Sequence, residues 1–360
     1  MKNISFPLFS TKVSGVTKRF NLEDPVSRRE YFDLKARADI EKIKEYLEAG
    51  NTFVAFLLGK KNSGKGTYAK LFMEAVGREH VAHLSVGDVV RNTHKELSDE
   101  AKRAELLEFL QKRYRGFISV EKIFDVIEGR DTKTLLPTEV ILALVEREID
   151  RLDRKAIFVD GFPRNLDQIS YSLFFRSLIG YREDPDFFVF IDVPEAVIDE
   201  RMKHRVVCPV CQTPRNTRVL CTKEVGYDAT KQEFYLICDD PKCGGARMVA
   251  KEGDSLGIEA IRDRVQLDEQ IMETLSTLQG VSKIYLRNSI PVAGAATTID
   301  EYEITPGYRF ELEGSSPAHG VKIIQEPWVV NDDSGTPSNS LLPAPVVLSL
   351  LKQMVEVLGL

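Results

Sequence analysis

Between its 59th and 67th residues the chain reads Gly59-Lys60-Lys61-Asn62-Ser63-Gly64-Lys65-Gly66-Thr67. These residue types make a phosphate cradle. Gly59, Gly64 and Gly66 let the backbone curl with its N–H groups turned inward, and a helix starting near Gly64 adds the positive end of its dipole. Lys65 would reach the outer phosphates, and Thr67 would bond a phosphate oxygen or a metal-bound water. The common phosphate-loop pattern places Ser or Thr directly after the lysine. Here Gly66 intervenes, so the spelling is Gly-Lys-Gly-Thr.

Three further groups carry chemistry. Asp160-Gly161-Phe162-Pro163-Arg164 follows an apolar run and is followed by Gln168. Arg201 and Arg205 stand four apart and so share one helix face. Cys208-x-x-Cys211 and Cys238-x-x-x-x-Cys243, with 26 residues between the pairs, form two thiol knuckles. Four thiolates suit a closed, tetrahedral, structural Zn²⁺ site, and the same ligands suit iron. Cys221 is the spare thiol, and Asp239 or Asp240 is a substitute ligand. His80 and His83 lack the helical spacing of zinc ligands and have no nearby acid partner in sequence; they read as ordinary strand-end residues.

The elements that must position these groups follow from apolar pattern. Residues 53–58 are apolar without alternation, as a strand covered on both faces requires. Similar strands are expected at 80–84, 156–159, 187–194 and 284–286. Between them lie helical patterns, at Tyr68 to Val76, through the charge-rich stretch 92–134, and from Leu135 through the face Val140, Ile141, Leu144, Val145 and Ile149. Strands alternating with helices predict an open parallel α/β sheet whose ligands sit at the carboxyl ends of the strands. Ahead of this body, residues 1–20 have no period. A helix is expected from Asn21-Leu22-Glu23-Asp24-Pro25 to Gly50, with the stripe Tyr31, Leu34, Ile40, Ile43 and Leu47, packing beside the first strand. After Arg287 come strand candidates at 307–313 and 321–330 and a closing amphipathic helix, 345–358.

Length and composition bound the rest. The 360 residues suit about two domains. No apolar run approaches the roughly 20 residues of a membrane span. The start lacks a secretory apolar region, so a cytoplasmic location is expected, with the five cysteines as ligands or free thiols rather than disulfides. The net charge of −6 is matched by the tail alone, which from Asn288 onward holds nine acids and three bases, so the body is balanced. This balance argues against a polyanion binder.

Together these segments resemble the adenylate kinase family of nucleoside monophosphate kinases. Gly59 to Thr67 resembles its phosphate loop. Ile157-Phe158-Val159-Asp160-Gly161-Phe162-Pro163-Arg164 with Gln168 matches its signature, Ser85-x-Gly87-Asp88-x-x-Arg91 resembles its monophosphate-side turn, and Asp192-Val193-Pro194 with Arg201 and Arg205 resembles the hinge into its lid. The resemblance covers roughly 53–287. It implies a P-loop kinase fold with a five-stranded parallel sheet flanked by helices, a helical monophosphate-binding insertion (86–150) and a small β lid stapled by zinc (206–255), all within a kinase domain, 51–287. An N-terminal helical extension (1–50) and an acidic C-terminal extension (288–360) lie outside it. The implied reaction is ATP + AMP ⇌ 2 ADP with Mg²⁺, in a monomer that binds neither nucleic acid nor membrane.

The resemblance also implies roles. Gly59, Ser63, Gly64, Lys65, Gly66 and Thr67 hold ATP together with Arg201 and Arg205. Ser85, Val86, Arg91, Leu136, Gly161, Arg164 and Gln168 hold the acceptor. Lys65, Arg164, Arg201, Arg205 and Arg264 neutralise the transferring phosphate, while Asp160, with Asp88, orients waters on Mg²⁺. Cys208, Cys211, Cys238 and Cys243 hold Zn²⁺. Four departures stand out. Val86 replaces a threonine near the acceptor base. Gly253 occupies the place of a lid arginine, with Lys251 or Arg247 as substitutes. The stretch 92–134 is long, and the tail is extra; a structural wrap near the fifth strand is expected for it. A UMP/CMP or broad-specificity kinase is the alternative, then a zinc-ribbon nucleic-acid module on a P-loop ATPase, then an inactive scaffold.

Overall fold

The computed structural model describes residues 4–129, 136–181, 183–313 and 320–360. Its centre is a parallel sheet of β1 (Val54–Gly59), β2 (Val81–Ser85), β3 (Ala156–Asp160), β4 (Asp186–Asp192) and an edge strand, Ser282–Arg287. The spatial order is edge strand, β4, β1, β3, β2. Every residue of β1 is buried, which is why its sequence shows no alternation. Ala55 and Leu57 face one core while Val54, Phe56 and Leu58 face the other. Register brings the chemistry to one end of the sheet, pairing Leu57 with Asp160, Asp160 with Ser85, Gly59 with Ile191 and Asp192 with Arg287.

Helix α1 (Pro25–Glu48) starts where Asp24 accepts the N–H of Ser27, with Pro25 in its first turn. It packs on α2 (Lys65–Val76) and on a C-terminal helix, Pro343–Leu358, rather than beside β1. Leu34, expected on its buried stripe, is exposed, and Lys35 is buried instead. The C-terminal helix is not amphipathic over its first half. Residues 344–351 are all buried because α1, α2 and the edge strand enclose them, so the tail does wrap the core beside the fifth strand.

The other face carries α3 (Val86–Glu96), α4 (Glu100–Arg113), α5 (Val120–Glu128), α6 (Thr138–Asp150), α7 (Ile169–Leu178) and α9 (Arg262–Ser276), with α8 (Glu195–Lys203) between β4 and the lid. The readings at 130–135 fall outside the described residues. Ala104, read as part of an apolar face, points to solvent. One core unites all three sequence regions, holding Tyr31 and Ile43 of the first, Phe72 and Val189 of the second, and Ile290 and Val347 of the third.

The segment expected to form the lid is built of short strands. Arg205–Val207 pairs with Pro214–Asn216 and Val249–Ala250, and Val225–Asp228 pairs with Glu233–Leu236. A hairpin of the C-terminal extension, Gly307–Leu312 with Val321–Glu326, packs Tyr308, Phe310, Val321 and Ile323 against the cysteine-lined core of the lid. The rings of Phe234 and Phe310 lie 5.8 Å apart, and Tyr308 donates its N–H to Arg218 O at 2.8 Å. Among the described residues no helix is long and apolar enough to cross a membrane.

Candidate active site

The glycine-rich loop leaves β1 and enters α2 at the carboxyl end of the sheet. Gly59 is required by space: a Cβ there would lie 2.7 Å from Ser63 Oγ and 3.1 Å from Ile191 O. Gly64 caps α2 at φ +94°, a backbone open to glycine but costly for other residues. Asn62 takes the other left-handed position, φ 67°, which asparagine tolerates. The loop's amides and the start of α2 thus converge on one concavity.

That concavity is a cavity of about 350 Å³. Its walls bring together Gly59, Lys65, Ser85, Arg91, Asp160, Gly161, Arg164 and Arg264 of the expected residues, and add Lys61 and Asp268. Lys65 Nζ rests on the loop's own carbonyls, donating to Gly59 O at 2.8 Å and Lys60 O at 3.1 Å. Arg264 donates to Arg164 O at 2.7 Å and pairs with Asp268 at 2.6 Å. Asp268 also accepts the N–H of Lys61 at 2.9 Å. Burial pushes the Asp268 carboxyl above its usual range, against the pull of Arg264 and Lys65. Desolvation, then the charges of Arg164 and Arg264, pull the Lys61 ammonium below the ordinary lysine value, with Arg205 adding to them. Such crowding of cations is unfavourable until an anion enters. Sequence reasoning passed over Lys61 and Asp268. The only local signal was the second lysine inside the loop.

The remaining expected residues stand elsewhere. Arg201 lies behind the loop, donating to Asn288 Oδ1 at 3.3 Å, and Asn288 in turn donates to Tyr68 Oη at 3.1 Å. Arg205 does not share a helix face with Arg201, because the helix ends at Lys203 and Arg205 opens the strand Arg205–Val207, where it pairs with Asp254 at 2.5 Å. Ser63 and Val86 are buried, Gly64 and Gly66 partly so, and Thr67 is exposed. Leu136 is buried, as is Gln168, whose amide closes its own turn: Oε1 accepts the N–H of Arg164 at 2.7 Å and Nε2 donates to Thr138 Oγ1 at 3.2 Å. Arg91 pairs with Asp88. His83 does have an acid neighbour, since Asp160 Oδ2 lies 3.8 Å from its Nε2; the partner comes from the adjacent strand, invisible to local spacing. Arg247 is no substitute for the missing lid arginine, because it pairs with Asp228 and Glu233 and lies over the ring of Tyr235.

In the lid, one sulfur atom from each of Cys208, Cys211, Cys238 and Cys243 lies within 4.8 Å of all the others. The Cys211–Cys238 separation is 3.7 Å. A tetrahedral zinc with bonds of about 2.3 Å demands sulfur–sulfur edges of about 3.8 Å, so this donor set fits the ion. Cys221 lies apart, its thiol pushed up to about 12 by burial. Asp239 pairs with Arg215, and Asp240 caps the turn at Pro241–Cys243, so neither is placed as a ligand.

Sheet order and loop define a P-loop fold whose cavity is lined by Lys61, Lys65, Arg91, Arg164 and Arg264. A family model described as an AAA domain matches residues 58–207. The chain is 28% identical over 211 residues to an adenylate kinase of Thermotoga neapolitana, covering 58% of this chain and 77% of that one. It is 27% identical over 225 residues to an adenylate kinase of Oceanobacillus iheyensis, covering 62% and 85%. A probable UMP-CMP kinase 2 of Arabidopsis thaliana is 29% identical over 153 residues, covering 42% and 48%. Over its central part the chain is thus similar to adenylate kinases and to a UMP-CMP kinase.

Proposed function

We propose that the protein is an adenylate kinase, catalysing ATP + AMP ⇌ 2 ADP with Mg²⁺ accompanying ATP. The observation that carries this is the meeting, in one cavity, of the phosphate loop with Lys61, Arg91, Arg164 and Arg264. The attacking group is a phosphate oxygen already ionised at neutral pH, so no general base is needed. The demand is charge cancellation between two polyphosphates and in-line alignment. Lys65 leaves its carbonyl partners for the outer phosphates of ATP, and Arg164 and Arg264 hold the transferring group in bidentate fashion. Arg91 and Ser85 receive the acceptor phosphate. Asp160 and Asp88 orient the water shell of the ion. Arg201 and Arg205, at the hinge, act from the ATP side once the lid folds over and excludes water.

The lid zinc is structural: four thiolates leave no open position, and the lid's strands have too little core to hold alone. A reducing cytoplasm suits five unpaired cysteines. All residues named come from one chain, so a monomer suffices.

A UMP or CMP acceptor is the second reading. It is favoured by the buried Val86 and by the inward-turned Gln168 amide, which together leave fewer polar groups for an adenine. Production of ADP from ATP with AMP, UMP or CMP separates the two. Transfer to AMP slower than to UMP and CMP overturns the first reading.

A further inference from the structure

We propose that Asp333, in the C-terminal extension, positions the phosphate loop for phosphoryl transfer by clamping Lys60. Lys60 follows Gly59 directly, yet its side chain is wholly buried and does not line the cavity. It cannot serve as a phosphate ligand. A buried ammonium needs carboxylates around it, and this one has Asp333 in closest contact, Glu269 at 3.2 Å and Glu195 at 3.9 Å. Burial pulls its pKa down, but Asp333 and Glu269 more than offset this and leave it raised.

Asp333 differs from the other two acids in what else it holds. Its second oxygen accepts the N–H of Glu195 at 2.7 Å, the first residue of the helix that carries Arg201. The neighbouring Asp332 pairs with Arg287 at the end of the edge strand and caps its own turn by accepting the N–H groups of Ser334 and Thr336. One turn of the extension therefore ties together the carboxyl ends of β1, β4 and the edge strand. The loop feels the tie through the main chain, since Lys60 O is one of the two resting acceptors of Lys65 Nζ. On the opposite flank Asp268 holds the N–H of Lys61. The turn that carries Lys65 is thus held from two sides, one of them supplied by residues well outside the resemblance. A loop set before the substrate arrives loses less on reaching the transition state.

The proposal rests on the phosphoryl-transfer reading above. Its test compares full-length wild type, Asp333→Asn, Lys60→Met and the double variant in steady-state ATP-plus-AMP kinetics, with ATP affinity measured separately. Asp333→Asn is expected to lower kcat at least tenfold with the KM for AMP within twofold. In the Lys60→Met background the same change is expected to cost less than twofold, and Asp333→Glu is expected to restore most of the rate. A kcat for Asp333→Asn within twofold of wild type overturns the proposal, as does an equal loss in both backgrounds. If Asp333→Asn does not fold, the double variant, which removes the buried ammonium together with its nearest carboxylate, carries the test, and a wild-type kcat there is the contrary result. Should the wild-type chain transfer phosphate to no monophosphate, the underlying reading fails, and ATP affinity decides for the clamp. It weakens at least fivefold in Asp333→Asn if the clamp orders the loop and is unchanged if it does not.

Discussion

Glu303→Gln is the substitution that tests whether the C-terminal extension is part of the folding unit. Glu303 is 0% exposed, and its carboxylate receives four donors. Oε1 accepts Tyr31 Oη at 2.6 Å and Lys35 Nζ at 2.8 Å, while Oε2 accepts Thr11 Oγ1 and the N–H of Asp300 at 2.7 Å. Three of these donors lie in the first 35 residues, so the carboxylate stitches the two ends of the chain. Glutamine has one oxygen, and its amide N–H groups face two of the donors. Two hydrogen bonds to a charged group are lost, at about 1.5–3 kcal/mol each. Lys35 keeps Asp300 at 2.6 Å, which holds the loss to about 3–5 kcal/mol, in the range for breaking a buried ion pair. That is a large part of the roughly 5–15 kcal/mol of a typical fold. Urea unfolding can be followed by far-ultraviolet ellipticity and by Trp328, the single tryptophan, which packs on the shared core. Both signals are expected to shift together to lower urea. A loss below about 1 kcal/mol refutes the energetic argument, given the magnitudes expected for such groups. A shift in Trp328 alone refutes the shared core and makes the extension an appendage.

The site, the metal and the acid limb give three further expectations. Arg164→Ala should lower kcat by about 10²–10³, the usual loss when one transition-state donor is removed, with unchanged ellipticity; wild-type turnover would remove Arg164 from the mechanism. Chelation, or Cys243→Ser, should release about one zinc per chain and expose the lid to protease together with the hairpin that rests Phe310 on it; protein that holds no zinc, or an unchanged digest, contradicts the site. At Asp332, burial pushes the carboxyl up, but bonds from Ser334 and Thr336 and the charge of Arg287 outweigh it and leave the pKa lowered. A lowered carboxyl contributes stability above its unfolded value near 3.9, lost as pH falls through the lower folded value. Asp332→Asn should therefore flatten the loss of stability below about pH 4, read as urea midpoints from pH 7 to pH 3; identical slopes would contradict this.

How much was legible depended on distance along the chain. Strands β1, β3 and β4 were readable because a strand buried on both faces is apolar without alternation, whereas β2 and the edge strand are only part-buried and showed shorter apolar runs; their carboxyl ends then placed Gly59, Ser85 and Asp160 together. Helix α7 went unassigned. Its sequence, Ile169-Ser170-Tyr171-Ser172-Leu173-Phe174-Phe175-Arg176-Ser177-Leu178, is weak in helix formers and leaves Leu173, Phe174 and Leu178 exposed. Lys35 looked like a surface residue, because its counter-charges at Asp300 and Glu303 lie more than 260 residues away. The same holds for Lys60 and Asp333, 273 residues apart. Asp268 reads from its helix as one acid among several, and only the fold brings it to the N–H of Lys61. Long-range pairing of buried charge leaves no local pattern: Lys35 ties the N-terminal extension to the C-terminal one, and Lys60 ties the C-terminal one to the glycine-rich loop, alongside the shared apolar core.

The most direct measurement of the central claim is the rate of ADP formation by purified full-length protein with Mg²⁺-ATP and, in turn, AMP, UMP, CMP and GMP. The account predicts ready transfer, fastest with AMP, where two ADP appear per ATP consumed. Transfer to none of them would contradict the phosphate cavity described between Gly59 and Arg264, and AMP among the poorest acceptors would contradict its assignment as an adenylate kinase.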